Sequence, residues 1–116
     1  MVTFLKFLAR LWPLPTLALL ALITWASFQP EGAVGDPGRW DKLVHLAAYA
    51  CVAGPVGLAW PRRAWAWLGL LLAWGAAIEL LQPLAGREGS LEDLLANLAG
   101  LALGAVAGWG LRRAVR

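Results

Sequence analysis

Charge is scarce in this 116-residue chain: only 15% of its residues are Asp, Glu, Lys or Arg, against about 25% in an ordinary soluble domain. With 60% hydrophobic residues and a mean hydropathy of +0.65, this excludes a water-soluble globule. It equally excludes disorder, which needs low hydrophobicity. A single cysteine excludes a disulfide framework, a zinc-finger ligand set and a CxxC redox pair. The basic surplus is small, +3, so the high pI fits membrane topology better than a phosphate-binding face, and no nucleic-acid partner is expected. Period-2 alternation is absent, which argues against strands. No Walker A, GxGxxG, GxSxG or HExxH pattern occurs.

What the chain does have is long uncharged runs. Residues 11–30 carry no charge, 43–61 none except the titratable His45, 64–86 only Glu79, and 94–111 none. Each is near or above the roughly 18 residues of a membrane helix. The expectation is an all-α, four-helix transmembrane bundle with short loops, forming one domain over 1–116, with helices at about 11–28, 41–60, 64–83 and 91–111. Pro13 and Pro15 suit a helix start. The stretch 30–38, rich in Pro and Gly, reads as a loop, Pro61-Arg62-Arg63 as a tight turn and 84–89 as another turn. Ser90 is a candidate N-cap with Asp93 in the electropositive first turn. Pro55 falls inside the second helix and is expected to kink it.

Basic residues set the orientation. Lys6, Arg10, Arg62, Arg63, Arg112, Arg113 and Arg116 fall on one side of the four spans, Arg39, Lys42 and Arg87 on the other. Both termini are therefore expected inside, with the acids on or near the outer side. Seven of the eight tryptophans, all but Trp74, lie near expected helix ends, as in an interfacial belt. A signal peptide is the competing reading of the first 27 residues. Its apolar stretch would be long, and cleavage would leave three spans with the C-terminus against the charge pattern.

Polar groups inside apolar helices are costly, and each is by default a functional candidate. Asp41, His45 and Tyr49 are spaced i, i+4, i+8 on one face of the second helix; Glu79 and Gln82 close the third; Arg87 and Ser90 follow in the loop; Asp93 and Asn97 open the fourth. The orientation puts all of them, with Lys42, in the outer half of the bundle, whereas the inner ends carry Arg and Trp. Each has a bland reading too. His45 is a general acid or base, or a hydrogen bonder between helices. Glu79 is a catalytic carboxylate, or half of an ion pair with Arg87, with Lys42 as the other nearby cation. Asp41 and Asp93 are reactive acids, or first-turn acids at a helix dipole. Arg87 clamps an anion, or makes a surface pair. Gln82 and Asn97 are substrate ligands, or interhelical glue. Tyr49 reads as an orienter, and Ser90 as a nucleophile only where the helices bring it to His45. His45 with Asp41, Glu79 and Asp93 offers metal-type ligands, but without a dense ligand motif no metal is assigned and the cofactor stays open. Gly100, Gly104 and Gly108 form a small-xxx-small stripe for close packing, chiefly within the bundle, or for a homodimer. Cys51 and Trp74 read as packing residues.

The ordered set Asp41-Lys42-x-x-His45-x-x-x-Tyr49, Glu79-x-x-Gln82 and Arg87-x-x-Ser90-x-x-Asp93-x-x-x-Asn97-x-x-Gly100-x-x-x-Gly104 resembles the VanZ-like family of small bacterial membrane proteins. The likeness covers residues 41–104. It implies a four-helix membrane protein, and it associates the chain with the cell envelope, since the family's named member is linked to teicoplanin resistance. Three functions follow as expectations. The first is an enzyme working on a lipid-linked envelope substrate, with His45, Glu79 and Asp93 catalytic and Asp41, Lys42, Tyr49, Gln82, Arg87, Ser90 and Asn97 binding. The second is a non-catalytic binder of a lipid-linked precursor or glycopeptide. The third is an assembly protein whose polar residues hold the bundle together.

Overall fold

The computed structural model describes residues 2–29, 41–86 and 90–115, without the side chains of Val2 and Asp41. Five α-helices follow one another: α1 (Val2–Arg10), α2 (Pro13–Ser27), α3 (Asp41–Ala59), α4 (Ala64–Leu81) and α5 (Leu91–Ala114), with a short 3₁₀ turn Gln82–Ala85 after α4. The fold is all-α, with no strand among the described residues. By length and composition α3, α4 with its 3₁₀ turn, and α5 are apolar enough to cross a membrane.

The expected first span is different. The expected helix over 11–28 is present as α2, but a further helix, α1, precedes it, and the two are bent by 48° to one another. Proline explains the break. Pro13 and Pro15 lack the N–H groups that would continue the ladder from α1, and Pro13 instead begins a new helix. At 15 residues, α2 is about 22 Å long, short of the roughly 30 Å hydrocarbon layer. Only the pair taken together reaches that length. Residues 2–10 lie ahead of the expected helices; Lys6 and Arg10, four residues apart, share one helical face of α1 and leave Phe4, Phe7 and Leu8 on the rest.

The centre of the bundle is the pair α3 and α5. Gly100, Gly104 and Gly108 of α5 lie against the α3 backbone, and an added Cβ would fall on the carbonyl oxygens of Leu46, Ala50 and Gly54 respectively. Gly57 of α3 answers from the other side, against Ala105. The stripe therefore serves an intrachain contact: all three of its glycines are buried on α3 of their own chain. Tyr49, Val52, Ala53 and Val56 of α3, Leu71 of α4, and Leu101 and Ala105 of α5 fill the core. α3 remains helical through Pro55. In the turn ahead of that proline, the Val52 carbonyl accepts a 2.9 Å hydrogen bond from Thr16 Oγ1, buried on α2.

α3 ends at Trp60, which takes a left-handed φ of 41° just before Pro61, an uncommon conformation for a bulky residue. Arg112 caps this end: its Nη1 donates to Ala59 O at 2.6 Å and to Leu58 O at 3.2 Å. A guanidinium there satisfies terminal carbonyls and opposes the negative end of the helix dipole. Arg112→Gln is expected to cost about 1–2 kcal/mol, read as a lower midpoint of SDS unfolding followed by tryptophan fluorescence. Arg113→Gln, which loses a cation–π contact of 4.9 Å to Trp109 at an exposed position, should cost less than about 1 kcal/mol.

The distribution of surface is inverted relative to a soluble protein. Leu17, Leu22, Leu70, Leu80, Leu91 and Val106 are each more than half exposed, whereas Thr16, Glu79, Gln82, Asp93 and Asn97 are buried. Exposed leucines together with buried polar side chains at one end of an apolar core are compatible with a hydrocarbon surrounding.

Candidate functional site

The polar residues gather where α3 begins, α4 ends and α5 begins. Ser90 caps α5 in extended conformation, its Oγ accepting from the Asp93 N–H at 3.0 Å. This cap fixes the first turn of α5 and turns Asp93 inward, where it is 6% exposed. The Ser90 N–H donates to Glu79 Oε2 at 3.0 Å, so one loop residue positions both buried carboxylates.

From α3, Lys42 Nζ meets Asp93 Oδ1 at 2.6 Å and reaches Glu92 at 3.7 Å. The second Asp93 oxygen, Oδ2, lies 3.9 Å from His45 Nε2. On the other side of the ring, His45 Nδ1 donates to Asn97 Oδ1 at 2.9 Å. Asn97 is 1% exposed, so this bond fixes the ring orientation and, in the neutral form, places the lone pair on Nε2. His45, Glu79 and Asp93 each bring a ligand-type atom to within 4.8 Å of the others, from three different helices.

Tyr49 is 1% exposed, a core residue rather than part of an open surface. With Asn97 it frames Gly75 of α4: an added Cβ at 75 would meet the Tyr49 hydroxyl at 3.0 Å and Asn97 Nδ2 at 3.2 Å. Gln82 is buried one turn beyond Glu79 and donates from Nε2 to Ser27 O of α2 at 3.2 Å, while its Oε1 accepts no hydrogen bond among the described residues. Arg87, expected as an anion clamp or partner of Glu79, lies outside the described residues, as does the side chain of Asp41.

Lys42 pairs with the α5 acids here, a choice the sequence left open. Thr16, a buried polar group within an apolar run, belongs beside these residues as a polar tie between α2 and α3. Trp74 is tied down by more than packing: its Nε1 donates to Thr24 Oγ1 at 2.9 Å, joining α4 to α2.

At the opposite end lies an apolar groove of about 890 Å³, lined among others by Leu8, Trp12, Cys51, Pro55, Gly108 and Leu111. It offers volume without acid–base groups. Comparison with protein-family models, with curated proteins and with solved structures gives no match.

Proposed function

We propose that this chain is a VanZ-like multi-pass protein of a bacterial inner membrane, with both termini inside, whose His45–Glu79–Asp93 cluster faces the outer leaflet and binds or transforms the polar head group of a cell-envelope or lipid-linked substrate. The observation that carries this reading is the inversion described above: buried carboxylates, an oriented imidazole and an amide collected at one end of a bundle with an apolar exterior. Intramembrane ionisable groups mark functional sites because a purely structural bundle has no need of their cost.

In this reading His45 Nε2 and a carboxylate of Asp93 or Glu79 form the acid–base set for hydrolysis or transfer. Lys42, Arg87 and Asp41 meet the charged parts of the head group, and Ser90, Gln82, Asn97 and Tyr49 order it. Gln82 Oε1, a buried acceptor without a donor among the described residues, suits a hydroxyl or amide N–H of such a group. The function extends to glycopeptide resistance, teicoplanin in particular, through alteration or sequestration of an envelope precursor.

A second reading has one observation in its favour. Lys42 with Asp93, His45 with Asn97, and Ser90 with Glu79 are already paired within the chain, as in a non-catalytic binding or assembly protein whose polar groups stabilise the bundle.

Susceptibility separates the readings. Wild type and Glu79→Gln are expressed at matched membrane levels in a teicoplanin-sensitive host. The proposal expects protection by wild type and at least a tenfold loss of survival at an inhibitory dose for the variant. Equal protection by both would remove the cluster from the mechanism. Protection lost only in step with folded protein would favour the structural reading. No protection by either refutes the drug link in that host, and co-purified lipids, identified by mass spectrometry, then test the head-group reading directly.

A further inference from the structure

We propose that His45, Glu79 and Asp93 form a binding site for one divalent first-row transition-metal cation, Zn²⁺ foremost. The three side chains come from α3, α4 and α5, and their ligand-type atoms lie within 4.8 Å of one another. A tetrahedral cation held about 2.0–2.2 Å from each ligand keeps those atoms about 3.4 Å apart, so the observed spacing closes onto an ion with shifts of under about 1 Å per ligand. The 3.9 Å between His45 Nε2 and Asp93 Oδ2 is too long for a hydrogen bond, yet it suits two donors sharing one ion.

The surroundings of the three groups carry the argument further. Imidazole ligands in metal sites donate their other ring N–H to an acceptor, and ligating carboxylates are themselves hydrogen-bonded. Each ligand here has such support. His45 Nδ1 is held by Asn97, Asp93 Oδ1 by Lys42 at 2.6 Å, and Glu79 Oε2 by the Ser90 N–H. Because Lys42 occupies Oδ1, the ion takes Oδ2 without displacing the ammonium. Three protein ligands of mixed N and O type are the set of a catalytic rather than a four-ligand structural zinc site. Imidazole favours Zn²⁺ over Mg²⁺ or Ca²⁺, which prefer oxygen alone. One histidine and scattered acids give no dense motif, and the packed helices select His45, Glu79 and Asp93 as the set that converges.

The inference rests on the cluster's geometry and not on the head-group reading. Its test contains no lipid substrate, so failure here leaves that reading standing. Tag-free protein in detergent micelles is labelled with ¹⁵N-histidine, stripped with chelator and titrated with Zn²⁺. The chain contains one histidine, so the label reports this site alone. The expected result is one Zn²⁺ retained per chain after desalting, with the Nε2 resonance moving at one equivalent and Nδ1 much less. X-ray absorption should show one imidazole and oxygen neighbours. Asn97→Ala should weaken binding by about 10–100-fold, and Glu79→Gln and Asp93→Asn should abolish retention while keeping helical circular dichroism. An unmoved Nε2 overturns the proposal. So does a response unchanged in the two carboxylate variants, or a spectrum with two or more imidazoles, which means adventitious bridging between chains. Should a carboxylate variant fail to fold, the wild-type resonance and ligand count decide alone.

Discussion

Gly104→Val is expected to abolish folded protein. The built Cβ falls on the carbonyl carbon and oxygen of Ala50, backbone atoms of α3 that no rotamer change can move. Accommodation requires the two central helices to separate, and with them Tyr49, Val52 and Leu101 of the core lose their packing. Overpacking a dense interior costs about 1–3 kcal/mol and occasionally more; here the three carbons of an added isopropyl group press directly on a main chain. Gly100→Val should behave alike, since its Cβ meets Leu46 O. The internal controls are Gly69→Ala and Gly110→Ala, where an added Cβ meets nothing within 4 Å. Both lie in exposed helix interiors, so alanine is expected to raise stability by about 0.5–1 kcal/mol. Yield of monodisperse protein and the SDS unfolding midpoint are the measurements. Normal folding of Gly104→Val would mean that α3 and α5 do not meet as described.

Asp93→Ala is the second large effect. Asp93 neutralises Lys42, faces His45, and is 6% exposed. Stranding a buried partner typically costs 3–5 kcal/mol, but the Lys42 side chain is 44% exposed and can turn to water. A discounted loss of about 2–3 kcal/mol is expected. Lys42→Met should cost less, and the double variant should lose less than the sum of the two, because the interaction is counted once. Glu92, 79% exposed at 3.7 Å from Lys42, should give less than about 0.5 kcal/mol on replacement by Gln. Additive Lys42 and Asp93 effects would show that the 2.6 Å contact contributes nothing.

The sequence discloses the long helices because exclusion of charge over some 18 residues is a one-dimensional signal. α3, α4 and α5 therefore stand close to where the uncharged runs put them, and the cap at Ser90 is written in its own type and position. The break between α1 and α2 is less visible. Two prolines say that a helix begins, and nothing local says that another has just ended. Residues 2–10 look like a charged flank until Lys6 and Arg10 are placed on one face. The gathering of His45, Glu79 and Asp93 follows from helix order, since alternate helix ends meet. Which atom holds which does not. Thr16 with Val52, and Arg112 with Leu58 and Ala59, join residues 36 to 54 positions apart, and such pairs arise only from the way helices lean on one another. Lys42 had several acids within plausible reach, and the inward turn of Asp93, set by the Ser90 cap, decided the matter.

The pairing of α3 with α5 across the intervening α4 also imposes an order in time. A chain made from its N-terminus produces Lys42 and His45 first, Glu79 a helix later, and Asp93 and Asn97 only as its last helix emerges. Until then the imidazole has no amide to hold it, and the carboxylate of Glu79 lacks the Ser90 N–H. The glycine stripe that draws α5 onto α3 begins directly after Asn97, one turn further along the same helix. Docking the last helix therefore completes the polar cluster and the central packing in one event, and a nascent chain stopped before residue 90 carries most of its apolar mass but no finished site.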